Sequence, residues 1–156
     1  MSVPEFPTKH IFVADDDDQD RMLFQEVIKD LPSLVHLTMA SDGDEAVRIL
    51  TQLEQLPDII FLDLNMPFKN GFECLKEMKH SKKLQSIPVI IFSSSAHPSS
   101  VSQAYDQGAH LYFRKPNNFL NFKKIIQYVL AVNWKGNLSQ PPREEFLLNI
   151  FPDTST

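Results

Sequence analysis

Four short, continuous apolar runs stand out along the chain, at residues 11–14, 59–62, 89–92 and 111–113. Each run is rich in branched or aromatic residues and lies close to a turn signal, which is typical of strands that are buried on both faces. A fifth segment, residues 35–40, alternates larger apolar side chains with polar or small ones. This period of two predicts an edge strand with one wetter face.

Apolar residues at helical spacing fill the segments between these runs, which predicts five helices that each bury one face. In chain order the helices are marked by Leu23 and Val27, by Ala46 and Leu50, by Phe72, Leu75 and Met78, by Val101 and Ala104, and by Phe122, Ile125 and Val129. We expect Pro32 to stop the first helix and the last helix to end near Gly136. Ser41 or Asp42 is the expected cap of the second helix.

Strand and helix therefore alternate five times along the chain. Such alternation predicts an α/β fold, in which a doubly wound sheet of five parallel strands has helices on both faces and right-handed crossovers. In sheets of this kind, sites form at the carboxyl ends of the strands, near the point where the strand order reverses. The residues that directly follow the buried runs are therefore the first candidates for chemistry.

Composition and charge fit one soluble domain with a core of ordinary size. The 156 residues are 42% apolar and 22% charged, with a net charge of -5 and a single cysteine, Cys74. One cysteine excludes an internal disulfide and a multi-cysteine zinc site, and the mild negative charge argues against nucleic acid as a partner. The sequence shows neither a membrane-spanning apolar stretch nor a signal-like N-terminus, so we expect a cytoplasmic protein without a membrane anchor.

The chain is expected to divide into three parts. These are an N-terminal extension over residues 1–8, one domain over 9–136 and a C-terminal tail over 137–156. The tail contains a proline pair followed by five large apolar residues, Phe146, Leu147, Leu148, Ile150 and Phe151. Because such residues are costly to leave in water, we expect the tail to dock on its own domain or in a homodimer, with a separate partner protein as the remaining alternative.

Charged and polar residues gather where the buried runs end. Residues 15–18 are all aspartates, although two carboxylates about 4 Å apart repel each other by roughly 4 kcal/mol at an effective dielectric near 20. Asp63 follows the third strand, Ser93 the fourth, and Lys115 comes shortly after the fifth. Carboxylates brought into one cleft favour a hard divalent cation such as Mg²⁺, which neutralises their repulsion.

Taken together, these motifs resemble the receiver domain of two-component response regulators, over about residues 9–134. The resemblance lies in the acidic run after the first strand, in "FLDLNMP" (61–67), in "IIFSSSA" (90–96) and in "FRKP" (113–116), all in family order. It is closest to stand-alone receivers, such as the chemotaxis regulator and the small partners of phytochrome-type kinases. The resemblance implies a flavodoxin-like sheet with strand order 2-1-3-4-5.

The resemblance implies a phosphoryl-accepting metal site. Asp63 matches the aspartate that accepts the phosphoryl group. Asp15 and Asp16 match the acidic pair, in which Asp16 would bind Mg²⁺ directly and Asp15 through water. Asn65 matches the position whose backbone carbonyl binds the metal, so the implied metal ligands also include Asp63 itself.

The resemblance also implies a switch. Ser93 matches the hydroxyl that turns towards the phosphoryl group, and Tyr112 matches the aromatic residue that changes rotamer. Lys115 matches the lysine that pairs with the phosphoryl oxygens, and Pro116 after it matches a proline that usually follows a cis bond.

The expected function is a signalling switch. A sensor histidine kinase or phosphotransfer protein would donate a phosphoryl group to Asp63 with Mg²⁺ as cofactor, and the phosphorylated surface would bind a downstream target protein. Such a chain catalyses only its own phosphorylation and dephosphorylation. One alternative is a receiver-like scaffold that binds without phosphorylation. The other is a phosphatase of the haloacid dehalogenase type, whose Asp-x-Asp-x-Thr or Val signature is broken here by Gln19.

Overall fold

One parallel sheet of five strands organises the computed structural model, which describes residues 9–32, 34–132, 134 and 139–148. The strands are β1 (Lys9–Ala14), β2 (Val35–Ala40), β3 (Ile59–Leu62), β4 (Val89–Ser93) and β5 (Leu111–Arg114). Their order is β2-β1-β3-β4-β5, and all four pairings are parallel. The predicted fold class and strand order are therefore confirmed.

The five predicted helices are all present. They are α1 (Asp18–Lys29), α2 (Gly43–Gln52), α3 (Gly71–His80), α4 (Pro98–Asp106) and α5 (Phe119–Ala131), and a short helix α6 (Arg143–Phe146) follows in the tail. The Asp42 carboxylate caps α2 by accepting a hydrogen bond from the Glu45 N–H at 2.8 Å. Across the described ranges, every helix is too short or too polar to span a bilayer.

The last helix of the domain ends earlier than predicted. α5 stops at Ala131, whereas the sequence placed its end near Gly136, because Val132 takes an extended conformation. The chain then folds back, and the Trp134 indole Nε1 donates to the Val129 carbonyl at 2.9 Å. That carbonyl lies in the last turn and also accepts from the Val132 N–H at 3.3 Å. A local side-chain hydrogen bond, between residues five positions apart, therefore closes the end of α5 without a glycine.

Helices cover both faces of the sheet. α2, α3 and α4 pack on one face, and α1 and α5 pack on the other. On the second face the ring of Phe24 from α1 lies 5.2, 5.7 and 4.8 Å from the rings of Phe61, Phe92 and Phe122, in edge-to-face geometry. Such aromatic contacts favour a defined orientation. They fix the start of α1 beside the carboxyl ends of the strands.

The described part of the tail packs against its own chain. Phe146, at the end of α6, is fully buried in the core on the side of α4 and β5. Leu148 is partly buried against the opposite cluster. Leu147 is 39% exposed. Ile150 and Phe151 of the predicted patch lie outside the described residues, as does the extension at 1–8.

Candidate functional site

Three aspartates come together at the carboxyl end of the sheet. Asp15 directly follows β1, Asp16 is next to it, and Asp63 directly follows the neighbouring strand β3. One carboxylate oxygen of each lies within 4.8 Å of the other two. Asp15 and Asp63 are buried, at 1% and 4% exposure, whereas Asp16 faces solvent. The structure thus brings together the acids that the sequence placed at separate strand ends.

Burial makes the two inner carboxylates hard to ionise. Desolvation raises the pKa of Asp15 to about 7. The hydrogen bond from the Asp17 backbone N–H lowers this pKa, and the nearby charge of Asp63 raises it further. Desolvation likewise raises the pKa of Asp63, although the charge of Lys115 opposes this rise. Bringing a further cation to the pair would favour the ionised form of both carboxylates.

One oxygen of this cluster lies next to a cationic side chain. Asp15 Oδ2 is buried, and the Lys115 ammonium group lies 3.0 Å from it. One carboxylate oxygen of Asp15 also lies within 4.8 Å of carboxylate oxygens of Asp16 and Asp63. Hard oxygen ligands gathered in this way are the ligand set of Mg²⁺, Mn²⁺ or Ca²⁺. The residues therefore fit a divalent cation.

Lys115 is the cationic side chain of the cluster. Its Nζ lies 2.7 Å from Asp20 Oδ2, 3.0 Å from Asp15 Oδ2 and 3.2 Å from Asp63 Oδ2. Burial lowers the pKa of Lys115, but the hydrogen bond to Asp20 and the charges of Asp63 and Asp15 raise it above its usual value. The lysine therefore stays protonated. The described residues contain no cis peptide bond, so the bond before Pro116 is in the intrinsically favoured trans form, unlike the cis bond that the resemblance implied.

Two neighbours of the site were missed by the sequence analysis. Asp20, in the first turn of α1, holds Lys115, and Arg21 Nη1 donates to the backbone oxygen of Asp15 at 2.6 Å. The feature of the sequence that could have indicated Asp20 is the N-cap of α1, where the Asp17 carboxylate accepts a hydrogen bond from the Asp20 N–H. An acid three residues after a helix cap faces the same end of the helix. The cap therefore marked Asp20 as a residue close to the strand ends.

Ser93 and Tyr112 lie on the two strands beside the acidic cluster. Ser93 ends β4, is 2% exposed, and its hydroxyl oxygen accepts from the Ser95 N–H at 3.3 Å. Tyr112 is fully buried on β5, and its hydroxyl donates to the Ser95 carbonyl at 2.6 Å. Burial also raises the pKa of the Tyr112 phenol. The loop after β4 is therefore bonded to both residues that the resemblance marks as a switch.

The loop after β3 holds Asp63 in place through its backbone. The Asn65 N–H donates to Asp63 Oδ1 at 3.2 Å, and the Gly71 N–H donates to the Leu64 carbonyl at 3.0 Å. A Cβ atom at Gly71 would lie 2.3 Å from the Asp63 carbonyl oxygen, closer than real side chains approach. Only glycine allows α3 to start this close to the acid.

We expect Gly71→Ala to displace the Asp63 loop, since the new methyl group overlaps backbone rather than a flexible side chain. The expected loss is about 1–3 kcal/mol in the free energy of unfolding, together with weaker divalent-cation binding, measured by urea denaturation and by cation titration. Gly108→Ala is the control: Gly108 has φ 98 and its nearest neighbour would be the Lys79 side chain. It should lose stability and keep its cation affinity. Equal cation affinities in both variants would contradict the prediction.

Comparison with known proteins shows relatives of nearly the same length. The family model described as response regulator receiver domain matches residues 11–127. Response regulator Rcp1 of Synechocystis sp. is 33% identical over 146 residues, which cover 90% of this chain and 99% of that protein. Two-component response regulator ORR3 of Oryza sativa subsp. indica is 31% identical over 115 residues, covering 74% and 85%.

Solved structures share the fold. The crystal structure of the phosphorylated cyanobacterial phytochrome response regulator RcpA has a TM-score of 0.75 and 29% identity, covering 87% of this chain and 99% of that one. The Mn(2+)-bound form of response regulator Rcp1 has a TM-score of 0.72 and 30% identity, covering 85% and 99%. The bacteriophytochrome response regulator RtBRR has a TM-score of 0.68 and 29% identity, covering 89% and 87%.

Proposed function

Because the chain belongs to the response regulator receiver domain family, we propose that Asp63 accepts a phosphoryl group and that its phosphorylation switches a protein-binding surface. The observation that supports this most is the cluster itself. Asp63 shares a cleft with Asp15 and Asp16, and Lys115 Nζ lies 3.2 Å from its carboxylate. A carboxylate held between a cation-binding pair and an ammonium group is well placed for attack on a phosphorus centre.

The cation that we assign to this cluster is Mg²⁺. Its ligands would be Asp16 and Asp63 directly, Asp15 through water, and the backbone carbonyl of Asn65. Once bound, the ion would neutralise charge on the oxygens of the transferring group. The three carboxylate oxygens gathered within 4.8 Å of one another support a cation here, and the Mn²⁺ named for the related Rcp1 structure supports a divalent ion in this family.

In the proposed transfer, a carboxylate oxygen of Asp63 forms a bond to phosphorus. The bond between phosphorus and the donor breaks, and its electron pair leaves with the donor, a phosphohistidine of a sensor kinase or phosphotransfer protein. Lys115 is close enough to pair with the oxygens of the transferred group, and the Ser93 hydroxyl donates a hydrogen bond to one of them. Both residues act by fixed electrostatics that need little rearrangement.

The proposed output is a change in the loop after β4. A phosphoryl group adds nearly two negative charges, which attract the Ser93 hydroxyl and so move the loop that includes Ser95. The hydrogen bond from the Tyr112 hydroxyl to the Ser95 carbonyl then holds Tyr112 in its inward position. The surface formed by α4, β5 and α5 then binds a downstream protein. A cytoplasmic location and a homodimer stay predictions.

Acetyl phosphate with Mg²⁺, followed by intact mass spectrometry, tests the acceptor. We expect the wild-type chain and the control Asp44→Asn to gain one phosphoryl group and Asp63→Asn to gain none, since Asp44 lies on α2 with an exposed side chain. A wild-type chain that binds the cation and gains no phosphoryl group would contradict the proposal and favour the scaffold. Phosphate release from a small ester, lost when Asp15 alone is replaced, would favour the phosphatase.

A further inference from the structure

The first part of the described tail segment, residues 140–148, is attached to the end of α4. The Gln140 side-chain Nε2 donates to the backbone carbonyls of Tyr105 and Ala109, at 2.7 Å each. The Tyr105 hydroxyl in turn donates to the Pro141 carbonyl at 2.8 Å. The segment and α4 therefore each donate a hydrogen bond to the backbone of the other.

The second part of the segment extends the edge of the sheet. Leu147 forms a parallel bridge with Tyr112, and the Leu148 N–H donates to the Tyr112 carbonyl at 3.0 Å. β5 is an edge strand, and edge strands of native proteins are commonly covered in this way. Phe146 is fully buried, with its ring 5.1 Å from that of Tyr105 and 6.1 Å from that of Tyr112.

Tyr112 therefore connects the tail to the phosphoryl site. Its backbone carbonyl binds the tail, its ring packs against Phe146, and its hydroxyl donates to the Ser95 carbonyl at 2.6 Å. The Ser95 N–H donates to the Ser93 hydroxyl oxygen. Tyr112 is fully buried even though it lies on the edge strand. The Phe146 ring, with its centroid 6.1 Å from that of Tyr112, therefore helps to keep the Tyr112 ring away from solvent.

We propose that residues 140–148 form a latch over α4 and β5 that holds Tyr112 inward, so that docking of the latch and occupation of the phosphoryl site favour each other. The proposal rests on the proposed function, because it needs a phosphoryl group that attracts Ser93 and its loop. Coupling between two equilibria is reciprocal, so a docked latch strengthens ligand binding at Asp63. A target of the phosphorylated form then contacts the latch, not the bare edge of β5.

Beryllium trifluoride, a noncovalent analogue of the phosphoryl group, tests this coupling with Mg²⁺ present. We expect the analogue to slow amide hydrogen exchange across residues 140–148 of the full chain. Phe146→Ala should weaken its binding about fivefold or more, the lower end of typical coupling between sites. Leu120→Ala is the control, since Leu120 lies on α5 outside the latch with its side chain 67% exposed, and it should bind the analogue like the wild type.

Arg143→Met gives a second variant should Phe146→Ala fail to fold. Its guanidinium pairs with Asp106 at 2.5 Å and lies 4.4 Å from the ring centroid of Tyr105, so its loss should weaken analogue binding in the same direction. Analogue binding with no change in exchange and no effect of either variant would overturn the latch and leave the proposed function standing.

Three further outcomes would each reject the latch. Failure of the wild-type chain to bind the analogue at all would overturn the proposed function and the latch together. Faster exchange in residues 140–148 on binding would show coupling of the opposite sign and so reject the latch as stated. Protection that rises with protein concentration would show that the tail of a second copy occupies this surface, which also contradicts an intramolecular latch.

Discussion

Asp15→Asn is expected to stabilise the cation-free protein at neutral pH and to weaken divalent-cation binding at least about tenfold. Burial raises the pKa of Asp15 from 3.8 to about 7 in the folded chain. A carboxyl group whose pKa is higher in the folded state than in the unfolded state binds more protons when folded, so the free energy of unfolding falls as the pH rises between these two values. Asparagine does not ionise, so its burial does not lower the free energy of unfolding as the pH rises. The expected gain at pH 7 is on the order of 4 kcal/mol.

Urea denaturation of both proteins in chelator, from about pH 4.5 to about pH 8, checks this prediction. The stability difference should grow with pH and level off above about pH 7. Added Mg²⁺ should stabilise the wild type by mass action and have little effect on the variant. Asp44→Asn, an exposed site, should show neither effect. A difference that stays constant with pH would contradict the assignment of the raised pKa to Asp15.

Lys115→Met is expected to have the opposite effect on the cation-free protein. The ammonium group contacts the buried carboxylates of Asp15 and Asp63 and is itself only 15% exposed. Removing one partner of a buried ion pair leaves its counter-charges uncompensated, which typically costs about 3–5 kcal/mol. The loss should be largest near neutral pH and smaller near pH 4.5, because Asp15 then takes up a proton.

The matched control is Lys123→Met, since Lys123 pairs with the largely exposed Asp30 at 2.6 Å. Exposed pairs contribute at most about 1 kcal/mol, so this variant should remain near wild-type stability in the same urea titrations. Mg²⁺ should restore part of the stability of Lys115→Met, because a bound cation replaces the missing charge. Combining Asp15→Asn with Lys115→Met should give a smaller loss than Lys115→Met alone. Equal losses in the free energy of unfolding for the Lys115 and Lys123 variants would contradict the prediction, because they would show that solvent screens the charges of Asp15 and Asp63.

Much of the fold follows from local pattern. The predicted strands at 35–40 and 59–62 match β2 and β3 at both ends. A strand buried on both faces is typically a short apolar run, and a strand buried on one face typically alternates apolar and polar residues. The acids at the ends of β1 and β3 were predicted to meet since parallel strands place their carboxyl ends at one edge. Their grouping within 4.8 Å bears this out.

The sequence by itself determined the order of strands and helices, the edge of the sheet at which chemistry is possible, and the residue types available there. Only the tertiary structure decided that Asp20 holds Lys115 and that Phe146 packs on Tyr112. These contacts join residues on different elements, so no local periodicity records them. The raised pKa of Asp15 belongs to the same group, because desolvation depends on everything that packs around a side chain rather than on its neighbours in the chain.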